Sequence, residues 1–258
     1  MKLQDKVAVV TGGGRALGRA IALRLAREGA DLILAAPEEN EIDKTADEIL
    51  NLGRRATAVV TDVSHDAQVK KMADRALADF GRVDILVNNA GIVGPTAPLQ
   101  EVSRDDWDQV LAVNLTGAFL CTRAVLPGMI QRRSGKIVNI ASTAARNVTA
   151  MRSPYAASKW GLIGLTMTVA KEVGKHDIHV NAVCPGPVEG GRINKVIAAQ
   201  AEEQGRAVEQ VTQEYVNQTL LGRFVPAEDV AAMVAFLVSD DANHITGQAL
   251  EVSAGWRM

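Results

Sequence analysis

The stretch KVAVVTGGGRALG, residues 6–18, decides the fold, because a short apolar run passes through glycines directly into a helical pattern. Glycine at position 12 lets the chain turn tightly beside a pyrophosphate, and glycine at position 18 lets the helix pack closely on the strand. The free N–H groups at the start of such a helix attract phosphate. The stretch therefore predicts a dinucleotide-binding unit, with an ordinary strand-to-helix turn as the alternative.

Short β-branched runs alternate with amphipathic segments along the rest of the chain. Near-continuous apolar strands are typical of a parallel sheet that is covered on both faces. We therefore expect an α/β fold with a single Rossmann-type doubly wound parallel sheet and helices on both faces. The predicted strands are KVAVVT 6–11, DLILAA 31–36, RATAVV 55–60, DILVNN 84–89, GKIVNIAS 135–142 and IHVNAVCP 178–185.

The length and composition fit one domain. A chain of 258 residues with 47% hydrophobic content can bury a sizeable core without dividing, so we expect a single domain over residues 1–258. Residues 187–226 are polar and helix-favouring, and they follow the sixth predicted strand. Ligands bind beside the carboxyl ends of the strands in such sheets, so this segment is predicted to be a substrate lid.

The charge and the cysteine and histidine usage exclude several classes of protein. A net charge of −2 without a Lys/Arg cluster argues against a nucleic-acid partner. The first apolar run has only four residues, which predicts a cytoplasmic protein without a membrane segment. Two cysteines suggest buried free thiols, and four histidines show no ligand spacing, so no catalytic metal is expected.

The stretch SPYAASKW, residues 153–160, contains one of the two tyrosines of the chain. On a helix Tyr155 and Lys159 lie at positions i and i+4, so they share one face and form a candidate proton-transfer pair. A neighbouring ammonium favours the phenolate and lowers the pKa of a tyrosine. The alternative is a partly exposed helix on which the tyrosine packs by its ring and the lysine reaches water.

Together these motifs resemble the short-chain dehydrogenases/reductases in their single-domain form. The glycine pattern T-G-x-x-x-G-x-G of that family is matched at Thr11, Gly12 and Gly18, with Ala16 in place of the middle glycine. Because alanine adds one methyl group, the loop is expected to form slightly farther from the pyrophosphate. The closing ITGQALEVSAGW, residues 245–256, looks like the last strand of the family.

The resemblance implies an active-site tetrad of Asn114, Ser142, Tyr155 and Lys159. Tyr155 would exchange a proton with the substrate oxygen, which Ser142 would hold by a hydrogen bond. Asn114 would hold a water that relays protons to Lys159. Considered alone, the serine could be a turn or helix-cap residue and the asparagine could cap or kink its helix.

The resemblance also implies the cofactor site. Asp62 and Val63 match the pair that holds the adenine, and NNAG, residues 88–91, matches the segment that borders the cofactor. The family usually has a threonine near the nicotinamide carboxamide where this chain has Gly190. The expected cofactor-binding residues are Gly12, Arg15, Leu17, Gly18, Asp62, Val63, Asn89, Ala90, Gly91, Tyr155, Lys159, Pro185, Gly186 and Val188.

The choice between NADP and NAD depends on the end of the second strand. A carboxylate there normally binds the adenosine ribose and selects NAD, but alignment with the family puts Ala36 at that position. Arg15 in the glycine loop suits the 2′-phosphate of NADP. Against this, Pro37 supplies no N–H or charge, and Glu38 or Glu39 could serve the ribose of NAD. We expect NADP to be preferred, with NAD as the alternative.

The substrate pocket of the family is built from two segments that here are residues 143–154 and 186–194. Arg146, Arg152 and Arg192 lie in these segments and could bind a carboxylate, phosphate or sulfonate, although surface arginines are common. We expect a small polar alcohol/ketone pair, such as a sugar, a polyol or a hydroxy acid. The alternatives are a 3-oxoacyl-acyl-carrier-protein reductase and a nucleotide-binding regulator without catalysis.

The helix that carries Tyr155 continues through WGLIGLTMTVAKEV and is apolar on more than one face. One face would pack on the sheet and another on a second subunit. We therefore expect a homotetramer or a homodimer, with burial in one large core as the alternative.

Overall fold

The computed structural model describes residues 1–148 and 150–257, so Thr149 of the expected substrate segment and Met258 lie outside the described residues. Seven parallel strands form one sheet in the order β3-β2-β1-β4-β5-β6-β7. The predicted doubly wound parallel sheet is confirmed. The strands are β1 Val7–Thr11, β2 Asp31–Ala36, β3 Ala56–Val60, β4 Ile85–Asn88, β5 Gly135–Ile140, β6 Ile178–Pro185 and β7 Ala249–Val252.

Nine helices in the described part of the chain connect or cover these strands. Their bounds are α1 Ala16–Arg27, α2 Glu39–Asn51, α3 Asp66–Phe80, α4 Arg104–Leu111, α5 Gly117–Arg132, α6 Ser153–Val173, α7 Gly191–Gln204, α8 Val208–Asn217 and α9 Ala227–Val238. The order of the strands reverses between β1 and β4, which is where ligands bind in folds of this kind.

Successive side chains along a strand point to opposite faces of the sheet, so the strands contribute to two cores, one on each face. In β1, Ala8 and Val10 pack with α1, α2 and α9, whereas Val7 and Val9 pack with α3, α5 and α6. All four side chains are buried, which explains why these strands carry no polar alternation.

The helical run Arg104–Arg132 is apolar and long enough to cross a bilayer by length and composition alone. It contacts α3, α6 and the strands β4 and β5. These contacts are those of a core helix that covers one face of the sheet, so its apolar character is explained by packing.

The segment predicted to be a substrate lid, residues 187–226, is called the lid below; it leaves the sheet after β6 and returns before α9. Its two ends pair with each other, because the N–H of Val225 donates to the carbonyl of Pro187 and the N–H of Glu189 donates to the carbonyl of Val225, both at 2.9 Å. Helices α7 and α8 form a small apolar cluster of their own with Trp256 from the C-terminal segment.

Cys121 and Cys184 are both buried and free. Among residues 1–148 and 150–257, no three His, Cys, Asp or Glu side chains come together as metal ligands.

Candidate active site

The glycine loop joins β1 to α1 at the point where the strand order reverses. Gly12 has a φ of +64°, and a β-carbon on Gly18 would lie 1.8 Å from the carbonyl oxygen of Gly12, so a side chain is excluded at position 18. Arg15 precedes α1 without a capping bond from its side chain. The first N–H groups of α1 therefore lack a side-chain cap and suit a phosphate.

Ala16 occupies the left-handed region of backbone space, with a φ of +44°. This is the position where the family pattern has its middle glycine. Alanine in place of glycine therefore strains the backbone as well as adding a methyl group beside the loop, because the β-carbon of an L-residue disfavours the left-handed conformation.

The segment after β4 fastens the glycine loop to the neighbouring strand. The Oγ1 of Thr11 accepts the N–H groups of Asn89 and Ala90, each at 3.0 Å, and Asn89 Nδ2 donates to the carbonyl of Thr11 at 2.9 Å. These bonds explain how the NNAG stretch supports the nucleotide end of the sheet.

Tyr155 and Lys159 lie on the first two turns of α6. The Lys159 side chain is only 2% exposed, and its Nζ donates to the carbonyl of Ile140 at 2.7 Å. The same Nζ lies 5.7 Å from the centre of the Tyr155 ring. Ser142 follows β5, and its Oγ accepts the N–H of Ala144 at 3.1 Å. The end of β5 and the start of α6 thus bring the three side chains together.

The charges around Tyr155 favour its phenolate. Burial raises the pKa of Tyr155, but Lys159, Arg192 and Arg152 together with the Ser142 hydroxyl outweigh burial and hold the pKa below its ordinary value of 10.0. Burial lowers the pKa of Lys159; Tyr155 opposes that shift and Arg192 adds to it. The phenol can therefore exchange a proton closer to neutral pH than a free tyrosine can.

Asn114 lies in a π-helical turn, Ala112–Thr116, between α4 and α5. Its Oδ1 accepts the N–H of Ile92 at 2.8 Å, and its Nδ2 donates to the carbonyl of Ile92 at 3.0 Å. A β-carbon on Gly91 would lie 3.2 Å from Asn114 Oδ1 and 3.6 Å from Lys159 Nζ. The amide and the ammonium therefore border one small space beside Gly91. Such a turn is a frequent feature of functional sites.

Ser158 is a buried site residue that the sequence analysis missed. Its Oγ accepts from Asn114 Nδ2 at 3.1 Å and donates to the carbonyl of Tyr155 at 2.7 Å. It thereby ties the π-helical turn to the helix that carries the phenol. The sequence could have indicated Ser158 as a site residue, because it lies between Tyr155 and Lys159.

The other expected cofactor residues line the carboxyl ends of the strands. Asp62 accepts from the N–H and the hydroxyl of Ser64, at 2.9 and 2.7 Å; burial raises the pKa of Asp62, but these bonds hold it below its ordinary value. The N–H of Gly186 donates to the carbonyl of Val252 at 3.0 Å, which anchors the turn after β6. Leu17 packs against the core beneath the loop, and Val63 is buried.

Two glutamates already surround the arginine of the glycine loop. Arg15 forms ion pairs with Glu38 at 3.3 Å and with Glu41 at 3.4 Å, and its side chain is 66% exposed. Ala36 ends β2 and brings no carboxylate. The loop, the uncapped start of α1 and this strand end fit a dinucleotide.

The structure separates the three candidate substrate arginines. Arg146 donates to the carbonyl of Ala249 at 2.9 Å and pairs with Glu251, beside a cavity of about 930 Å³ that none of the tetrad residues lines. The Arg192 side chain donates to the carbonyl of Gly91 at 2.7 Å, and the Arg152 guanidinium lies 4.8 Å from the centre of the Tyr155 ring. Only Arg152 and Arg192 therefore adjoin the reaction centre.

Fold and site together define the class: a dinucleotide-binding fold in which a buried lysine adjoins a tyrosine of lowered pKa, an arrangement suited to proton transfer. A family model described as short chain dehydrogenase matches residues 6–202. The chain belongs to that family, and the resemblance inferred from its motifs is confirmed.

Relatives of this chain have different substrates. The 3-oxoacyl-acyl-carrier-protein reductase of Thermotoga maritima is 36% identical over 255 residues, covering 99% of each protein. Among solved structures, an NAD⁺-bound xylitol dehydrogenase is 34% identical with a TM-score of 0.96, covering 99% of this chain and 100% of the other. A variant actinorhodin polyketide ketoreductase with NADPH is 35% identical with a TM-score of 0.94, covering 100% and 99%. The chain is thus an NAD(P)-dependent oxidoreductase in general terms.

Proposed function

We propose that this protein interconverts a secondary alcohol and a ketone on a small polar substrate, such as a sugar, a polyol or a hydroxy acid. The observation that carries the proposal is the position of the Tyr155 phenol among Lys159, Arg192 and the Ser142 hydroxyl, with a pKa below its ordinary value. A phenol in that setting can accept and return the proton of a carbinol.

Each residue of the tetrad has a distinct role in the proposed reaction. During oxidation the Tyr155 phenolate accepts the alcohol proton, and the Ser142 hydroxyl holds the substrate oxygen. Lys159 stabilises the phenolate, and Asn114 holds a water in the space beside Gly91 that passes the proton outward. The nicotinamide, when bound, supplies the hydride chemistry.

NADP is the cofactor that we propose this chain prefers. The absence of a carboxylate at Ala36 and the guanidinium of Arg15 support it, because a 2′-phosphate needs space and a charged donor. Glu38 and Glu41 oppose it, since they already neutralise Arg15. If NADP is preferred, Glu38→Gln should increase the ratio of kcat/KM for NADP to that for NAD, and Arg15→Gln should decrease it.

A second candidate function is reduction of a 3-oxoacyl group on a carrier protein, and the 36% identity to the Thermotoga maritima reductase favours it. Its ketone substrate is a neutral thioester, which brings no negative charge to the cations beside Tyr155. A regulator that binds nucleotide without catalysis would have no need for Ser142, Tyr155 and Lys159 together.

The test is a rate measurement that follows reduced nicotinamide. The purified protein is supplied with polyols, hydroxy acids, their ketones and a 3-oxoacyl thioester, each with NADP(H) and NAD(H), alongside Tyr155→Phe. We expect turnover of a small polar substrate that the variant loses by about a thousandfold or more. Turnover that survives in Tyr155→Phe would refute the proton-transfer role, and turnover of the thioester alone would favour the second candidate.

A further inference from the structure

We propose that Arg152, assisted by Arg192, is the subsite for a carboxylate of the substrate, so that the substrate is a short hydroxy acid and its oxo acid. This inference rests on the proposed function, since it concerns the same site. It selects hydroxy acids from the wider set of sugars, polyols and hydroxy acids.

Arg152 is a partly buried cation that forms no ion pair with a carboxylate among residues 1–148 and 150–257. It immediately precedes α6, and its Nε is buried without a hydrogen-bond partner among the described residues. The titratable groups that act on it are two phenols, Tyr155 and Tyr215, and the guanidinium of Arg192. Since a buried charge is costly unless it is paired, the missing partner is expected from a ligand.

Other arginines of this chain form ion pairs with carboxylates. Arg146 pairs with Glu251, Arg19 with Glu48 and Arg206 with Glu214. These pairs lie outside the reaction centre. Arg152 differs from these three in that no carboxylate of the described residues pairs with it, although it lies beside the phenol.

The reaction centre as a whole has an excess of positive charge. Lys159, Arg192 and Arg152 all act on Tyr155, and no carboxylate is among the groups that shift its pKa. The adjacent Ser153 Oγ is also buried without a partner among the described residues. Two consecutive residues at the start of the helix that carries Tyr155 thus leave buried polar atoms unsatisfied, and both can donate to an anion.

Geometry limits the length of the substrate. The Arg152 guanidinium lies 4.8 Å from the centre of the ring that carries the reactive hydroxyl. A substrate whose alcohol meets that hydroxyl and whose anion meets Arg152 therefore has the two groups only a few bonds apart, at about 1.5 Å per carbon–carbon bond. The planar fork of an arginine binds both oxygens of a carboxylate. This favours 2-hydroxy and 3-hydroxy acids with short chains.

The kinetic test compares acids with their neutral analogues. Short 2- and 3-hydroxy acids, their methyl esters and the matching diols are assayed with wild type, Arg152→Gln and Arg146→Gln. The last variant is the matched control, because Glu251 and Ala249 hold that guanidinium elsewhere. We expect Arg152→Gln to lose about a hundredfold or more in kcat/KM for the acids, as truncation of a buried charged partner does. The ratio of kcat/KM for the acids to kcat/KM for the esters and diols should therefore fall by about a hundredfold in this variant, because loss of the effect of Arg152 on the pKa of Tyr155 slows charged and neutral substrates alike.

A binding measurement separates this inference from the proposed function. Calorimetry with acetate, malonate and inorganic phosphate is performed on cofactor-loaded wild type and Arg152→Gln, whose folding is checked by circular dichroism. We expect the two carboxylates to bind wild type and to lose binding in the variant, whether or not any alcohol is turned over. Equal carboxylate binding by both proteins, binding of phosphate alone, or equal loss of acid and ester turnover would overturn the inference.

Discussion

The pKa of Tyr155 depends on cations from three parts of the chain. Lys159 lies on α6 together with Tyr155, Arg152 immediately precedes that helix, and Arg192 lies on the lid. Their summed effect exceeds that of burial, so the tyrosine is poised for proton transfer by its surroundings rather than by its own chemistry.

The pH dependence of the rate follows from this arrangement. Oxidation needs the phenolate, so kcat/KM for an alcohol should rise with pH and level off below the ordinary tyrosine pKa of 10.0. Reduction needs the neutral phenol and should fall with pH through the same midpoint. Arg192→Gln removes a cation that lowers the pKa, so the midpoint should move to higher pH, whereas Arg192→Lys should stay near wild type. Rates with a neutral substrate check this, and a midpoint that moves down would contradict it.

Ala16 provides a second test at the residue scale. Its φ of +44° is costly for alanine and free for glycine, so Ala16→Gly should raise the free energy of unfolding by about 0.5–1 kcal/mol after the greater freedom of the unfolded chain is counted. Cofactor affinity should rise as well, because the loop can approach the pyrophosphate. Denaturant titration and cofactor titration measure the two effects.

The control for this variant is Ala20→Gly in the interior of α1, which should lower stability by about 1 kcal/mol. A less stable Ala16→Gly protein would show that the left-handed conformation carries no strain. The sequence revealed the missing glycine, but it could not reveal the sign of φ.

Among the helices and strands, the sheet was predictable because each strand is a nearly continuous apolar run. The differences lie at strand ends. The fifth strand was expected to reach residue 142 but ends at Ile140, since Ser142 leaves the ladder to cap a turn through the N–H of Ala144. The π-helical turn around Asn114 was not predictable, because one extra residue in an apolar helix leaves no mark on the hydrophobic pattern.

Contacts between distant segments explain what else the sequence could not reveal about the site. Tyr155 and Lys159 are four residues apart, and their pairing follows from helix geometry alone. Arg192 meets Gly91 across 101 residues of chain, through a lid whose path depends on tertiary packing. The same packing separates Arg146 from Arg152 although they lie in one loop.

The C-terminal segment holds the lid in place. The Trp256 ring stacks on Tyr215 of α8 with centroids 5.2 Å apart, and the Trp256 carbonyl accepts from Asn147 Nδ2 at 3.4 Å. The segment therefore bridges the lid and the loop between β5 and α6, which carries the candidate substrate residues Arg146 and Arg152.

Trp256→Ala should loosen the lid, because removing a buried aromatic ring leaves a cavity beneath α8. We expect the KM for the alcohol to rise about tenfold and trypsin cleavage near Arg206 to accelerate, while cofactor affinity stays unchanged. Trp256→Phe keeps an aromatic ring against Tyr215, so its KM for the alcohol and its rate of trypsin cleavage should stay close to those of wild type. Equal cleavage rates for wild type and Trp256→Ala would contradict the role of the segment.

The molecule as a whole presents an apolar surface on the helix that carries the active site. Trp160 and Met167 lie seven residues apart on α6 and are 51% and 54% exposed. Gly164 lies between them, and nothing within 4 Å occupies the space where a side chain would project. An apolar stripe with a small residue at its centre suits the close approach of a second helix, which supports our proposal of a homotetramer or homodimer.

Light scattering of the purified protein tests this association. We expect a tetrameric or dimeric mass for wild type and a smaller species for the double variant Trp160→Glu/Met167→Glu, because two buried charges at an apolar contact are destabilising. Leu50→Glu, at an exposed position on α2 across the sheet, should keep the wild-type mass. A monomeric wild type at micromolar concentration would refute the proposal.

The pairing of Val188 with Val225 closes the lid on itself, so that some forty residues leave the sheet and return through adjacent positions. Such a segment can be lengthened, shortened or exchanged at one short junction, provided that the contact of Arg192 with Gly91 and the stacking of Tyr215 on Trp256 are preserved. A segment joined to the sheet in this way can change while the strands stay the same. In the laboratory the pairing marks Pro187 and Val225 as the boundaries for transplanting a lid from a relative.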